Sequence, residues 1–97
     1  MAEDSPLVCR RWVITGRVQG VGFRWFVLNA AQDLGVRGWV ANTWEGAVEV
    51  VGLASAETVE RFESVLAEGP PAARVASVVS EDIPHHFVES KFFVIKH

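Results

Sequence analysis

The residues with the clearest chemical potential lie in one stretch, Gly16-Arg17-Val18-Gln19-Gly20-Val21-Gly22-Phe23-Arg24. Glycine reaches positive φ without steric cost and lets the main chain approach a ligand, so Gly16, Gly20 and Gly22 allow successive N–H groups to turn inward. The pattern after Gly22 is helical, and no Ser, Thr, Asp or Asn stands where a side-chain cap would consume the first free donors. The partial positive charge of the helix start therefore stays open to an anion. Arg24 adds a formal charge in the same turn, with a planar fork that matches two oxygens of a phosphate. The stretch reads as an oxyanion cradle. Three glycines alone serve a plain strand-to-helix turn equally well.

Related loops can be set aside letter by letter. A nucleotide P-loop ends in Gly-Lys followed by Ser or Thr, whereas this loop ends Gly-Phe-Arg. A dinucleotide fingerprint needs Gly or Ala three residues after Gly22, where Trp25 stands. A cysteine phosphatase would carry its nucleophile at the head of the loop, but Cys9 lies well upstream and reads as a small strand residue. The cradle has no evident nucleophile of its own.

A second candidate is Asn42 in Gly38-Trp39-Val40-Ala41-Asn42-Thr43. Asparagine suits strand interiors poorly. Its amide can donate to one oxygen and accept from another, as positioning a water for in-line attack requires, although a turn-forming role explains it as well. Arg17 either adds positive potential to the pocket or solvates the loop. His85 and His86 read as solvated loop residues rather than metal ligands, and Glu57, Glu60 and Glu63 as the solvated face of a helix.

The elements that position these groups follow from periodicity. Leu7 to Thr15 reads as a central strand, interrupted by Arg10 and Arg11. Phe23, Phe26, Val27, Ala30, Ala31 and Leu34 form one apolar helical face closed by Gly35. Val36 to Thr43 and Ala47 to Leu53 read as a hairpin around Trp44-Glu45-Gly46. Trp44 is expected to pack on a neighbour rather than to cover the pocket mouth. Ser55 is a credible cap for a second helix through Val59, Phe62 and Leu66, ended by Gly69-Pro70-Pro71. Arg74 to Ser80 reads as a strand and Glu81 to His86 as a loop around Pro84. The run from Phe87 to Ile95 reads as a last strand or a broken pair. The order implies an α+β fold, the ferredoxin-like βαββαβ sandwich. It is an antiparallel sheet with both helices on one face and an additional C-terminal strand.

Composition sets bounds. The 97 residues fit one domain, 1–97, with 1–6 expected as a mobile tail. Hydrophobic residues make up 49% and charged residues 22%, as in ordinary folded domains. A net charge of -3 gives nucleic acid no help from the overall field. No apolar run approaches the roughly 20 residues of a membrane span, and the start Met1 to Pro6 is unlike a secretory signal, so a cytoplasmic location is expected. A single cysteine forms no internal disulfide, and no Cys/His cluster has zinc-like spacing.

Taken together, the loop from Gly16 to Arg24, the segment Gly38 to Thr43 and Gly46 beyond it resemble the acylphosphatase family, over nearly the whole chain. The resemblance implies hydrolysis of the carboxyl-phosphate bond of small-molecule acyl phosphates, without metal or other cofactor. By motif position, Arg24 and Asn42 are the implied catalytic residues, Arg24 binding the phosphoryl group and Asn42 orienting water. The backbone of Val18, Gln19, Gly20, Val21, Gly22 and Phe23 would hold the remaining oxygens. Inorganic phosphate or sulfate is expected to compete, no nucleic acid or membrane partner is expected, and a monomer is expected. An acyl phosphate is a mixed anhydride with a good leaving group, so the lack of an acid, nucleophile or magnesium motif agrees with the resemblance. The chain departs from many relatives in ending Val94-Ile95-Lys96-His97, without arginine and an aromatic residue. Two other readings are a non-catalytic acyl- or carbamoyl-phosphate-binding domain, as in hydrogenase-maturation proteins, and an RNA-binding module. The first is disfavoured by the lack of a receiving domain, the second by the missing base-stacking strand motif and the acidic charge.

Overall fold

Alternation along the first strand sets the two faces of the sheet. In the computed structural model, which describes residues 6–97, β1 (Leu7–Arg17) buries Trp12 and Ile14 on one side and Cys9 on the other. The remaining elements are α1 (Phe23–Leu34), β2 (Arg37–Asn42), β3 (Val48–Ser55), α2 (Ala56–Glu68), β4 (Arg74–Asp82) and β5 (Phe93–Ile95). The strand order is β4-β1-β3-β2-β5. β1 lies between β3 and β4, and β3 pairs with β2, all antiparallel, giving the expected ferredoxin-like frame. β5 departs from that pattern by pairing parallel to β2, so the sheet is mixed at one edge.

Both helices pack on the same face. Phe23, Val27 and Ala31 of α1 join Val59, Phe62 and Leu66 of α2 in one cluster with Trp12, Ile14, Val40, Val48, Val50 and Phe93. Phe62 sits edge-on to Trp12 and to Phe93, with ring centroids 5.4 and 5.9 Å apart. The buried Trp12 indole donates to Glu63 Oε1 at 2.8 Å, so its polar atom is satisfied. α2 starts as expected: the Ser55 hydroxyl accepts from the Thr58 N–H, and Glu57 lies in the first turn.

Two expectations are corrected. β4 extends to Asp82 instead of ending at Ser80, because Glu81 pairs with Arg11 and Asp82 with Arg10 across the β1–β4 ladder. The run after Pro84 is a 3-10 turn (His85–Phe87) and an irregular crossing, and only Phe93–Ile95 is strand. The chain must pass from the β4 edge to the β2 edge, and on the way Ile83 and Val88 cover Cys9, Val51 and Leu53 on the second sheet face. Residues 1–5 of the expected tail lie outside the described residues, while the Pro6 carbonyl accepts from Ala56 N–H at the start of α2. Among the described residues no helix is long and apolar enough to cross a membrane.

Gly38 marks the tightest backbone approach. At φ +143, a Cβ there would lie 1.9 Å from the Val51 carbonyl oxygen of the paired strand. Gly38→Ala is expected to destabilise the fold by at least about 3 kcal/mol, read from the urea midpoint. Gly22→Ala, with φ +78 but open space around the new methyl, should cost only about 1 kcal/mol. Equal losses for the two would refute the distinction between clash and strain.

Candidate active site

The loop between β1 and α1 alternates in backbone sign. Gly20 and Gly22 have φ values of 75 and 78, and no non-glycine described residue has positive φ, so Gln19 and Val21 alternate with them. Alternation of this kind turns consecutive N–H groups toward one side, which makes a concave anion nest. Among the described residues, the N–H groups of Gln19, Gly20, Val21 and Gly22 donate to no protein acceptor. α1 begins without a side-chain cap and without an acidic residue in its first turn. Its positive end is therefore left uncompensated, in contrast to that of α2.

Arg24 stands in that first turn. It is half-buried, yet among the described residues its guanidinium has neither a hydrogen-bond nor an ion-pair partner. Arg10 and Arg11 differ: Arg10 donates to Asp82 at 2.6 Å and to Glu60 at 3.0 Å, and Arg11 is held between Glu49 and Glu81. Those carboxylates raise the affinity of both guanidinium groups for their protons. The opposite wall comes from the β2–β3 turn. Thr43 builds that turn, donating its N–H to the Ala47 carbonyl at 2.9 Å and accepting the Ala47 N–H on Oγ1 at 3.1 Å. Asn42, the last residue of β2, is thus not the turn former, and its amide makes no side-chain hydrogen bond among the described residues.

Arg24 and Asn42 meet across a cavity of about 170 Å³, which Val18, Gly20, Gly22, Phe23 and Trp25 also line. At about 30 Å³ per water, the space holds a tetrahedral oxyanion with a neighbouring water. A family model described as Acylphosphatase matches residues 10–94. The chain belongs to the acylphosphatase family. A relative described as an acylphosphatase of Petrotoga mobilis is 38% identical over 78 residues, covering 80% of this chain and 88% of its own. The structure of an acylphosphatase from Coxiella burnetii superposes with a TM-score of 0.86 at 34% identity, over 99% of this chain and 98% of that one. Full-length HypF in its phosphate- and nucleotide-bound form reaches a TM-score of 0.82 at 25% identity, over 96% of this chain but 12% of HypF.

Within this acylphosphatase frame, the residues expected from sequence separate into two groups. Val18, Gly20, Gly22, Phe23, Arg24 and Asn42 line one cavity. Gln19 and Val21 do not line it; Val21 packs against the core, and Gln19 faces a neighbouring depression. The Gln19 side chain has a tie that the sequence does not announce. Its amide donates to the Thr43 carbonyl at 2.9 Å and to the Ala47 carbonyl at 2.8 Å, fastening the loop to the turn that carries Asn42. Trp44 does not pack on a neighbour as expected; it is fully exposed beside Asn42. Trp25 and His97 were no candidates by motif, and both line cavities at the site. Only the unusual chain end pointed to His97. His85 and His86 are exposed on their 3-10 turn, with His86 stacked on Phe87. Burial pushes the Cys9 thiol up, helped by the Asp82 charge, so the thiolate that nucleophilic chemistry needs is disfavoured.

Gln19→Leu removes both loop-to-turn hydrogen bonds while keeping similar bulk. It is expected to lower stability by about 1–2 kcal/mol in urea unfolding and to weaken inorganic phosphate binding measured by calorimetry. Unchanged values in both measurements would show that the amide does not couple the loop to the turn.

Proposed function

We propose that this chain hydrolyses acyl phosphates to carboxylate and inorganic phosphate, by in-line attack of a water on a phosphoryl group held in the β1–α1 loop. The observation that carries the reading is the convergence of an unpaired Arg24, an uncapped helix start and a free Asn42 amide on one cavity. In this reading the N–H groups of the loop and the forked Arg24 guanidinium hold the three non-bridging oxygens. Their fixed donors stabilise the charge that develops on those oxygens without reorganisation. The Asn42 carbonyl oxygen accepts a hydrogen bond from the water and its NH2 donates one to a phosphoryl oxygen, so the water lone pair faces phosphorus.

The electron accounting needs no protein acid. The water oxygen forms a bond to phosphorus, the bond from phosphorus to the acyl oxygen breaks, and its electron pair leaves on a resonance-stabilised carboxylate. The water proton passes to a phosphate oxygen. Through a loose transition state most of the catalysis is alignment and charge stabilisation, which the side chains at this cavity are suited to provide. All these groups come from one chain, so the proposed chemistry asks for no residue from a partner.

The test is phosphate release from benzoyl phosphate and acetyl phosphate with EDTA present. Arg24→Ala should lose both binding and turnover, with kcat/KM down by about 10²–10³. Asn42→Ala should lower kcat by a similar factor with little change in KM. Wild-type turnover no faster than that of either variant would refute the hydrolase reading. A second reading is capture of an acyl or carbamoyl phosphate without hydrolysis; the likeness to a segment of HypF, whose structure is a phosphate-bound form, supports the phosphate-holding part of it. Tight binding of inorganic phosphate with no turnover of either compound would favour that reading. Retention of RNA on a low-salt filter would favour a nucleic-acid module.

A further inference from the structure

Two larger depressions flank the proposed phosphate cavity, and they differ in what they share with it. A groove of about 330 Å³ between α1 and β5 is lined by Arg24, Trp25, Leu28, Gln32, Ile95 and His97, with Phe93 and Val94 completing the wall. It shares Arg24 and Trp25 with the phosphate cavity, but not Asn42. The second, about 460 Å³, is lined by Gln19, Asn42, Thr43, Trp44 and His97 and shares Asn42 but not Arg24. His97 stands between the two.

In-line displacement assigns them different tenants. The attacking and leaving oxygens lie on opposite sides of phosphorus. If the water stands at Asn42, the acyl oxygen departs away from Asn42, toward the side closed by Arg24 and Trp25. We propose that the α1–β5 groove is the acyl-group subsite and that it favours aromatic or branched acyl phosphates over acetyl phosphate. This assignment rests on the hydrolase reading above.

The lining chemistry fits that tenant. Leu28 and Ile95 are half-buried and pack against the core, so they offer a fixed apolar floor rather than mobile side chains. Trp25 is 64% exposed and lines both the cavity and the groove, so its indole offers a large apolar surface at their junction. Gln32 and His97 are exposed, and they form the polar rim. A phenyl ring offers apolar surface for Leu28 and Ile95 to cover, and an acetyl methyl offers little.

The experiment compares kcat/KM for benzoyl phosphate and acetyl phosphate in the wild type, Leu28→Gln, Gln32→Leu and Trp44→Ala. The wild type should favour benzoyl phosphate by about tenfold or more, in the range that apolar pocket contacts supply. Leu28→Gln should lower the benzoyl value by about tenfold and the acetyl value by less than about twofold. Gln32→Leu, on an exposed position that cannot unfold the domain, should raise the benzoyl value by about threefold. Trp44→Ala should leave the ratio at its wild-type value, and inhibition by inorganic phosphate should be the same in all four proteins. A ratio unmoved by Leu28→Gln and Gln32→Leu, or a benzoyl-selective loss in Trp44→Ala, would overturn the subsite while leaving the hydrolase intact. Wild-type failure on both compounds would overturn the hydrolase reading and the subsite with it.

Discussion

The site depends on two hydrogen bonds from one side chain. The Gln19 amide donates to the carbonyls of Thr43 and Ala47 and so joins the loop after β1 to the turn after β2, segments brought together only by the fold. One carries the glycine nest and Arg24, the other carries Asn42. Without a fixed distance between them, the proposed phosphoryl holder and the proposed water holder would act independently, and in-line geometry tolerates little drift. The amide also explains why the loop holds its shape although Gly20 and Gly22 touch nothing at their Cβ positions. Their conformation is set by the anchored ends of the loop, not by packing around it.

Those ends are anchored by the core. Val18 is buried at the start of the loop and Phe23 at its end, where Phe23 meets Phe26 and lies against Gly69. Phe23 also begins the apolar stripe of α1, with Val27 and Ala31, that packs on the sheet. Burial of that stripe stabilises a helix whose own first turn is left without a cap. α2, distant from the cavity, has both a hydroxyl cap and an acidic first turn. The difference between the two helix starts is local economy of structure where no ligand is expected, and open donors where one is.

Much of this was legible from local pattern. The α1 stripe and its Gly35 terminator, the Ser55 cap, the hairpin, and the Arg24 and Asn42 positions all follow from short-range spacing, and they stand in the structure where that spacing puts them. What escaped was non-local. The parallel pairing of β5 with β2 depends on the chain crossing the far face of the sheet, which no run of residues from Phe87 to Ile95 encodes. Arg10 and Arg11 read as interruptions of a strand because their partners, Glu49, Glu60, Glu63, Glu81 and Asp82, lie on other elements. Gln19 looked like a loop residue contributing only its backbone. The amide that matters points to carbonyls more than twenty positions away, and carbonyls carry no sequence signal.

Charge placement then separates scaffold from site. With 12 acidic and nine basic side chains, the protein has carboxylates to spare for every arginine. Arg10 and Arg11 take up five of those carboxylates between them and brace the centre of the sheet. Arg37, also half-buried, donates to the Ser90 carbonyl. Arg24 is half-buried too, and no carboxylate has been placed within reach among the described residues. A partly desolvated guanidinium without a counter-charge is a cost to the free protein. That cost disappears when an anion enters the nest beside it. In a molecule whose overall field repels anions, such a local imbalance is what the proposed function uses to draw a phosphoryl group to this end of the sheet.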